Sequence, residues 1–536
     1  MMKNAALTAL AVTTAVLAAP SYLAIVEPGP GQDASSVAET GIRVVEDMGR
    51  WCLVLVTEEE LGPLGQTFGT RLLDSDPGAN TYMLVMPRGG FDIGDLDDRH
   101  GSVLATLDCG AIVRTDEAGV FEMNALPVEL ARIRLEPLEF PELDQGLPAL
   151  PSVDDSLVRV LADRVEHDSI LGTIQRLQDF SSRYSRHESC GAAIEWVRSK
   201  LEGYGCDTTF LFPFRFGYAP NAVGIRYGKT NPDLIYGICG HVDNTSDAQP
   251  DHCPGADDNA SGTAAALEAA RVFQDVEFEH TVQFLGFAGE EQGLYGSDSM
   301  AQWSRNRGDS ILAMLNFDMI SYGREDTDTL EVVGKWSNPA CEWLVDFFLA
   351  QADTFTTLKG KKYMTNYAPY SDHHSYWQRG YVSFCGIEED FTPEYHTIGD
   401  TIGPLYYLWC GTNNVPMATQ ATKAAVVSLA KLAGAYLPTG VQERPADTRP
   451  ARLAGVSPSL GPAPVSIRLT APLGPAGTVE VFDATGRSVA ALAQAGKSEV
   501  VWEGTDNSGS RVPAGIYLFR VFDRARTQTA KAVLTE

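Results

Sequence analysis

At 536 residues the chain is longer than one hydrophobic core usually fills, so two to four domains are expected. A formal charge of -29 and a pI near 4.7 argue against a nucleic-acid partner, because phosphate binding needs clustered Lys and Arg. An apolar content of 44% is ordinary for a globular protein.

Met1-Met2-Lys3 and the alanine-rich apolar run through Ala19 match a signal peptide over residues 1–18. The run is short for a membrane span and no later segment reaches spanning length, so a secreted or cell-surface bacterial protein is expected. Residues 40–136 then read as a small α+β domain. Strands are expected at Cys52–Val56, Thr81–Met86, Ser102–Leu107 and Gly119–Met123. Leu53-Val54-Leu55-Val56 with the acidic run after it resembles Tyr82-Met83-Leu84-Val85 with Asp92 to Asp98, a weak pseudo-repeat. This domain shows no ligand constellation, and its place suggests a propeptide or folding aid or, equally, a plain accessory domain. The proline-rich stretch from Pro137 to Pro151 reads as a linker.

From 152 to 437 helical and apolar-run patterns alternate. Helices are expected at Ser169–Phe180, Ala192–Leu201, Thr263–Phe273 and Thr422–Tyr436, with buried strands at Leu234–Cys239, Thr281–Ala288, Ile311–Phe317 and Tyr381–Ile387. Such alternation predicts an α/β domain with a mostly parallel central sheet covered by helices on both faces. A proline-rich linker, 438–464, leads to 465–536, where short alternating runs and glycine turns predict a β-sandwich. The nine cysteines include no CxxC pair. In an oxidising compartment Cys190 and Cys206, at the two ends of one helical region, are the pair expected to join, and Cys239 and Cys385 read as buried thiols.

Polar side chains of metal-ligand type collect where the apolar strands end. His241 follows the first, Glu290-Glu291 the second, Asp318 the third, and His396 lies after the fourth; Asp257-Asp258 sits in the glycine-bracketed turn Gly255 to Gly262, just before a helix. Open α/β sheets place their sites outside the carboxyl ends of strands. An Asp pair at a helix start alone would only satisfy free amide groups, but four such coincidences are not explained structurally. Two histidines and three carboxylates suit two zinc ions when one carboxylate bridges them, with room for a shared water. Gly228-Lys229-Thr230 lacks the earlier glycine of a phosphate loop, and no GxSxG elbow is present.

The stretches GHVDN, PGADDNASGTAAALE, FAGEEQGLYGS, NFDM and YHTIGDT resemble the zinc metallopeptidases of family M28, the aminopeptidase Y and bacterial leucyl aminopeptidase group. The resemblance covers about 166 to 437. It implies that His241 and Asp318 hold one zinc, Glu291 and His396 the other, and Asp258 bridges them. The Asp258-Asn259 peptide looks like one that is cis in relatives. Asp243 suits a role fixing the His241 tautomer. Glu290 would be the general base, and Tyr395 would stabilise the developing oxyanion or simply pack. Ser371-Asp372-His373-His374 resembles a stretch that shapes the pocket wall, with His373 and His374 structural; His187, His252 and His280 are expected at the surface. The implied activity is that of a secreted di-zinc exopeptidase, an aminopeptidase acting on peptides. Glutaminyl cyclase or carboxypeptidase activity on the same fold, and a non-catalytic surface binding protein, stay as alternatives. Val481 to Arg487, Val501 to Gly509 and Val512 to Tyr517 resemble FlgD-type immunoglobulin-like and C-terminal sorting modules, which implies outer-membrane export machinery as a partner.

Overall fold

A computed structural model describes residues 21–138, 150–324, 329–438 and 453–535, apart from 89, 458–459, 470–477, 485–486, 493–496, 498, 508 and 524–525. The expected signal peptide, most of the first linker and residues 439–452 of the second lie outside the described residues. The chain divides after Ala435 into a larger unit and a smaller one, the latter also taking residues 206–210 and 275–277. Among the described residues no helix is long and apolar enough to cross a membrane.

The larger unit begins with two antiparallel four-stranded sheets. The first has the order Arg43–Asp47, Cys52–Thr57, Ser21–Glu27, Gly69–Asp74, and the second Ser102–Leu107, Gly110–Thr115, Thr81–Pro87, Val128–Ile133. Both follow one plan, in which the first strand of four lies between the third and the fourth. The pseudo-repeat therefore exists, but in a different register: Leu53 to Val56 corresponds to Gly110–Thr115, and Tyr82 to Val85 to Ser21–Glu27. The domain thus starts at Ser21, before the expected position 40. A second correction concerns Gly119–Met123, which lies in the helix Glu117–Asn124. Asp116 caps it by accepting from the Ala118 and Gly119 amides at 3.0 Å each, and that local bond outweighs the short apolar run.

In the domain that follows, the labelled strands are β1 (Asn221–Arg226), β2 (Asn231–His241), β3 (His280–Phe287), β4 (Ser310–Phe317), β5 (Thr329–Lys335), β6 (Lys359–Thr365) and β7 (Ser383–Glu388). They run side by side in the order β6-β5-β7-β4-β2-β3-β1. The centre, β7-β4-β2-β3, is parallel, whereas β1 on β3 and β5 on β7 are antiparallel. The sheet is therefore mixed, with the expected parallel arrangement at its core. Its helices are α1 (Asp155–Asp163), α2 (His167–Gln178), α3 (Glu188–Gly203), α4 (Ala260–Val272), α5 (Tyr295–Arg307), α6 (Pro339–Phe355), α7 (His373–Gln378) and α8 (Val415–Ala433). Helix α4 lies along β2, β3 and β4, α6 along β5 to β7, and α8 packs on both helices.

β2 from Ile235 onward and most of β4 can be continuous apolar runs because helices and neighbouring strands bury them. Phe317 of β4, Phe348 of α6 and Phe384 of β7 form one aromatic cluster with ring centroids 4.9 to 5.9 Å apart. Small residues let the site's turn approach this core. A Cβ on Gly262 would overlap the Phe317 carbonyl oxygen, and one on Gly240 would lie 2.6 Å from the Gly262 carbonyl carbon. None of the nine cysteines forms a disulfide, so the expected Cys190–Cys206 pairing is corrected; Cys190 is enclosed in the packed face of α3. His280 is buried rather than at the surface, its Nδ1 donating to the Leu432 carbonyl at 3.2 Å and its ring stacked on Tyr236.

The smaller unit is a β-sandwich of a three-stranded and a five-stranded sheet, and Leu453–Ser457 already belongs to it. Its core gathers Trp502, Tyr517 and Phe519 among valines and isoleucine. The polar tips are satisfied locally, Trp502 Nε1 donating to the Thr505 carbonyl and Tyr517 Oη to the Pro513 carbonyl, both at 2.7 Å.

Phe348 carries the contact between α6 and the sheet and has no exposed surface. Phe348→Ala is expected to destabilise the protein by about 3–5 kcal/mol, read as a shift of the urea midpoint at unchanged slope.

Candidate metal centre

The carboxyl ends of β2, β3, β4 and β7 converge. His241 is the last residue of β2, Glu290 and Glu291 follow β3, Asp318 follows β4, and His396 lies in the loop after β7. Asp258 sits in the turn before α4, and its peptide bond to Asn259 is cis. All six side chains are buried.

Several bonds hold this turn. Asn259 caps α4 by accepting from the Gly262 amide at 2.8 Å, while its Nδ2 donates to the Phe317 carbonyl at 2.9 Å. The Ile320 amide donates to Ser261 Oγ at 3.0 Å and the Ser321 amide to Asp257 Oδ1 at 2.9 Å. The loop carrying Asp318 is thereby fixed to the loop carrying Asp258. From the other side, Asp400 accepts from the Asp257 and Asp258 amides, one per oxygen, at 2.8 and 3.0 Å. Arg183, which is wholly buried, donates to the carbonyls of Val242, Pro254 and Gly255, each at 2.6 Å.

The geometry around Asp258 is two-sided. His241 Nε2 lies 3.3 Å from Asp258 Oδ1 and 3.2 Å from Asp318 Oδ1. His396 Nε2 lies 3.5 Å from Asp258 Oδ2 and 2.9 Å from Glu291 Oε2. Each carboxylate oxygen of Asp258 thus faces one histidine, and each histidine has a second carboxylate of its own. His241, Asp258 and Glu291 can offer ligand atoms within 4.8 Å of one another, and so can His241, Glu290 and Asp318. Glu290 is set back, with Oε2 at 3.9 Å from His241 Nε2.

The imidazoles are oriented from behind. His241 Nδ1 donates to the Asp243 backbone oxygen at 3.0 Å, while the Asp243 carboxylate is 3.8 Å away and instead accepts from Ser185 Oγ and the Glu290 amide. His396 Nδ1 donates at 3.3 Å to the carbonyl of Leu126, a residue of the N-terminal domain. Asn124 of that domain donates to the Glu291 carbonyl, and Glu46 receives His374 Nε2 at 3.1 Å. His373 is buried against the rings of Tyr370 and Trp377 and does not line the cavity beside His396. Tyr395 stacks on His396 at 3.7 Å, and burial pushes its phenol well above the usual range. Both residues line a cavity of about 1120 Å³.

Family relationship enters on this geometry. The model of peptidase family M28 matches residues 221–407, which contain all six of the converging side chains, and that of the FlgD Ig-like domain matches 455–525. A probable leucine aminopeptidase of Arthroderma otae is 30% identical, the match covering 46% of this chain and 70% of the relative. The chain belongs to peptidase family M28. A probable zinc metalloprotease of Pyricularia oryzae is 29% identical over 48% of this chain, which spans 61% of that relative's length. The LapA aminopeptidase of Legionella pneumophila shares the fold at a TM-score of 0.52 and 19% identity, over 66% of this chain and 98% of its own. The M28 chain described here is thus similar to zinc proteases and aminopeptidases.

The roles of Asp400, Arg183 and the Leu126 carbonyl emerge only from the structure. Asp400 stands four residues beyond His396 in YHTIGDT, a position the sequence pattern marks, whereas no local pattern marks Arg183 or Leu126.

Burial and nearby carboxylates push Asp258 up to about 6, and burial pushes Asp372 and Asp400 up to about 7. His396 is lowered by burial but raised more by Glu291 and Asp258, to about 10. Raised values in the folded state mean that folding takes up protons, so this cluster's stability falls as pH rises. For the carboxyls the fall runs from about pH 4 to about 7, set by the ordinary value of 3.8 and the shifted ones. Chelated protein carrying Asp372→Asn is therefore expected to melt higher than its parent at pH 8, by more than about 1 kcal/mol, and alike near pH 4. Equal melting at both pH values would remove Asp372 from the cluster. Asp400→Ala strands two buried amides and is expected to cost about 1–3 kcal/mol for each, read by thermal unfolding.

Proposed function

We propose that this chain is an exported zinc exopeptidase, an aminopeptidase that removes the first residue of peptides and uses two zinc ions. The observation that carries the reading is the Asp258 carboxylate spanning two histidines that each face a second carboxylate. The donor set suits zinc, being imidazole and carboxylate in nearly tetrahedral number once an open position is left. His396 Nε2 and Glu291 Oε1 also fit, since both are buried without a hydrogen-bond partner and point to an absent positive neighbour. His241 and Asp318 would hold one ion, Glu291 and His396 the other, and Asp258 both.

Zinc bound there would polarise the scissile carbonyl and bring the pKa of water towards about 7. Burial raises the Glu290 carboxyl above the ordinary carboxylate range, which makes it a stronger base than an exposed carboxylate. It takes a proton from the attacking water as the water oxygen bonds to the carbonyl carbon. The same proton passes to the leaving nitrogen as the C–N bond breaks. Tyr395, held protonated by burial, donates a hydrogen bond to the oxygen that gains charge. Asp243 keeps the Glu290 backbone in place through the bond to its amide.

The export part of this reading rests on the N-terminal apolar run. Protein recovered from the culture medium with a new N-terminus near residue 19 is expected.

The test is zinc content per chain together with release of leucine from leucyl p-nitroanilide, with and without chelator. Two zincs and chelator-sensitive release are expected. Glu290→Gln should lower kcat by about 10²–10⁴-fold while keeping both ions. One ion, or unchanged hydrolysis in this variant, would overturn the mechanism.

A further inference from the structure

The cavity beside His396 has two owners. Tyr370, Phe391 and Tyr395 wall it from the peptidase domain, and Arg88, Phe91 and Pro127 wall it from the N-terminal domain. Arg88 directly follows the strand Thr81–Pro87, and its amide donates to the Pro127 carbonyl at 2.9 Å. Its Nε donates to Glu129 Oε1 at 3.0 Å, and the Glu129 side chain is only 8% exposed. The guanidinium carbon lies 5.1 Å from the Tyr370 ring centroid and 5.4 Å from that of Phe391.

These contacts hold the planar group by its edge and by its ring neighbours, and they leave Nη1 and Nη2 without an acceptor among the described residues. The side chain is 29% exposed, and Arg88 lines the cavity. Two parallel N–H groups on a fixed guanidinium match a carboxylate in shape and charge. Glu129 is absent from the cavity lining, so it backs Arg88 rather than facing a ligand. Arg88 is near enough to Tyr395 for each to influence the other's charge, and Tyr395 is stacked on His396. The cationic fork is therefore close to the candidate metal centre. The one anionic group that every unblocked peptide carries is its C-terminal carboxylate.

We propose that Arg88 binds the free C-terminal carboxylate of a very short peptide whose first peptide bond lies at the metal centre, so that dipeptides are the preferred substrates. The inference rests on the aminopeptidase reading above. It also makes the N-terminal domain a working part of the substrate site, retained in the active enzyme.

The experiment compares Leu-Ala with Leu-Ala amide and with Leu-Ala-Ala-Ala-Ala, on the full-length zinc-loaded protein and on Arg88→Met and Arg88→Lys. The unmodified protein is expected to favour Leu-Ala over its amide by at least about tenfold in kcat/KM, chiefly through KM, and to fall off on the pentapeptide. Arg88→Met should bring the Leu-Ala to amide ratio close to one, and Arg88→Lys should keep part of it, because charge remains while the fork is lost. Calorimetric binding of Leu-Ala to the Glu290→Gln protein, with and without Arg88→Met, reads the same contact without turnover. It should weaken by about tenfold.

If the unmodified protein cuts the amide or the pentapeptide as well as Leu-Ala, the proposal falls and the aminopeptidase reading stands. Because that comparison needs no variant, a misfolded Arg88→Met protein does not rescue the proposal. If nothing is hydrolysed but Leu-Ala binds in an Arg88-dependent way, the carboxylate site stands and the peptidase reading falls. Absence of both hydrolysis and binding overturns both.

Discussion

A buried carboxylate shared between two imidazoles is the constraint from which the rest of the large unit follows. Six buried ionisable side chains within one site would repel and desolvate one another ruinously unless opposite charge lay among them. Within that set of six only the two histidines can carry positive charge, and Arg183 stands behind the turn on its carbonyls, so the arrangement makes physical sense as a site for added positive charge. The parallel sheet brings these side chains together because adjacent strands end side by side, and small residues at Gly240 and Gly262 bring the Asp258 turn into that plane.

Stiffness around the centre comes from charges and amides that never face the cavity. Asp400 pins two successive amides of the turn, Asn259 and Ser261 tie the turn to the end of β4, and Arg183 closes three carbonyls that would otherwise be buried and unpaired. Such groups hold the backbone that carries Asp258 and Asp318 in place.

The N-terminal domain takes part in this arrangement. Its Leu126 carbonyl orients His396, its Asn124 holds the Glu291 backbone, and its Arg88 lines the cavity. An imidazole whose Nδ1 donates to a carbonyl presents Nε2 as its lone-pair atom, so a residue 270 positions earlier in the chain fixes the chemistry of His396.

Local chemistry made much of this legible in advance. Apolar runs of strand length ending in His, Asp and Glu gave the sheet and the candidate ligands, because a buried parallel strand that ends in polar groups leaves a strong local pattern. The sequence by itself determined the order of the alternating elements, the acidic turn before α4 and the membership of the residues that converge. It misjudged Gly119–Met123, where a cap bond overrode a short apolar run, His280, whose burial depends on α8, and the start and register of the N-terminal repeat. Only the tertiary structure decided which carboxylate oxygen faces which histidine, that Asp400 and Arg183 brace the turn, and that the N-terminal domain closes the cavity. Those relations join residues tens to hundreds of positions apart, and no local propensity or spacing encodes a distance that the packing of separate elements sets.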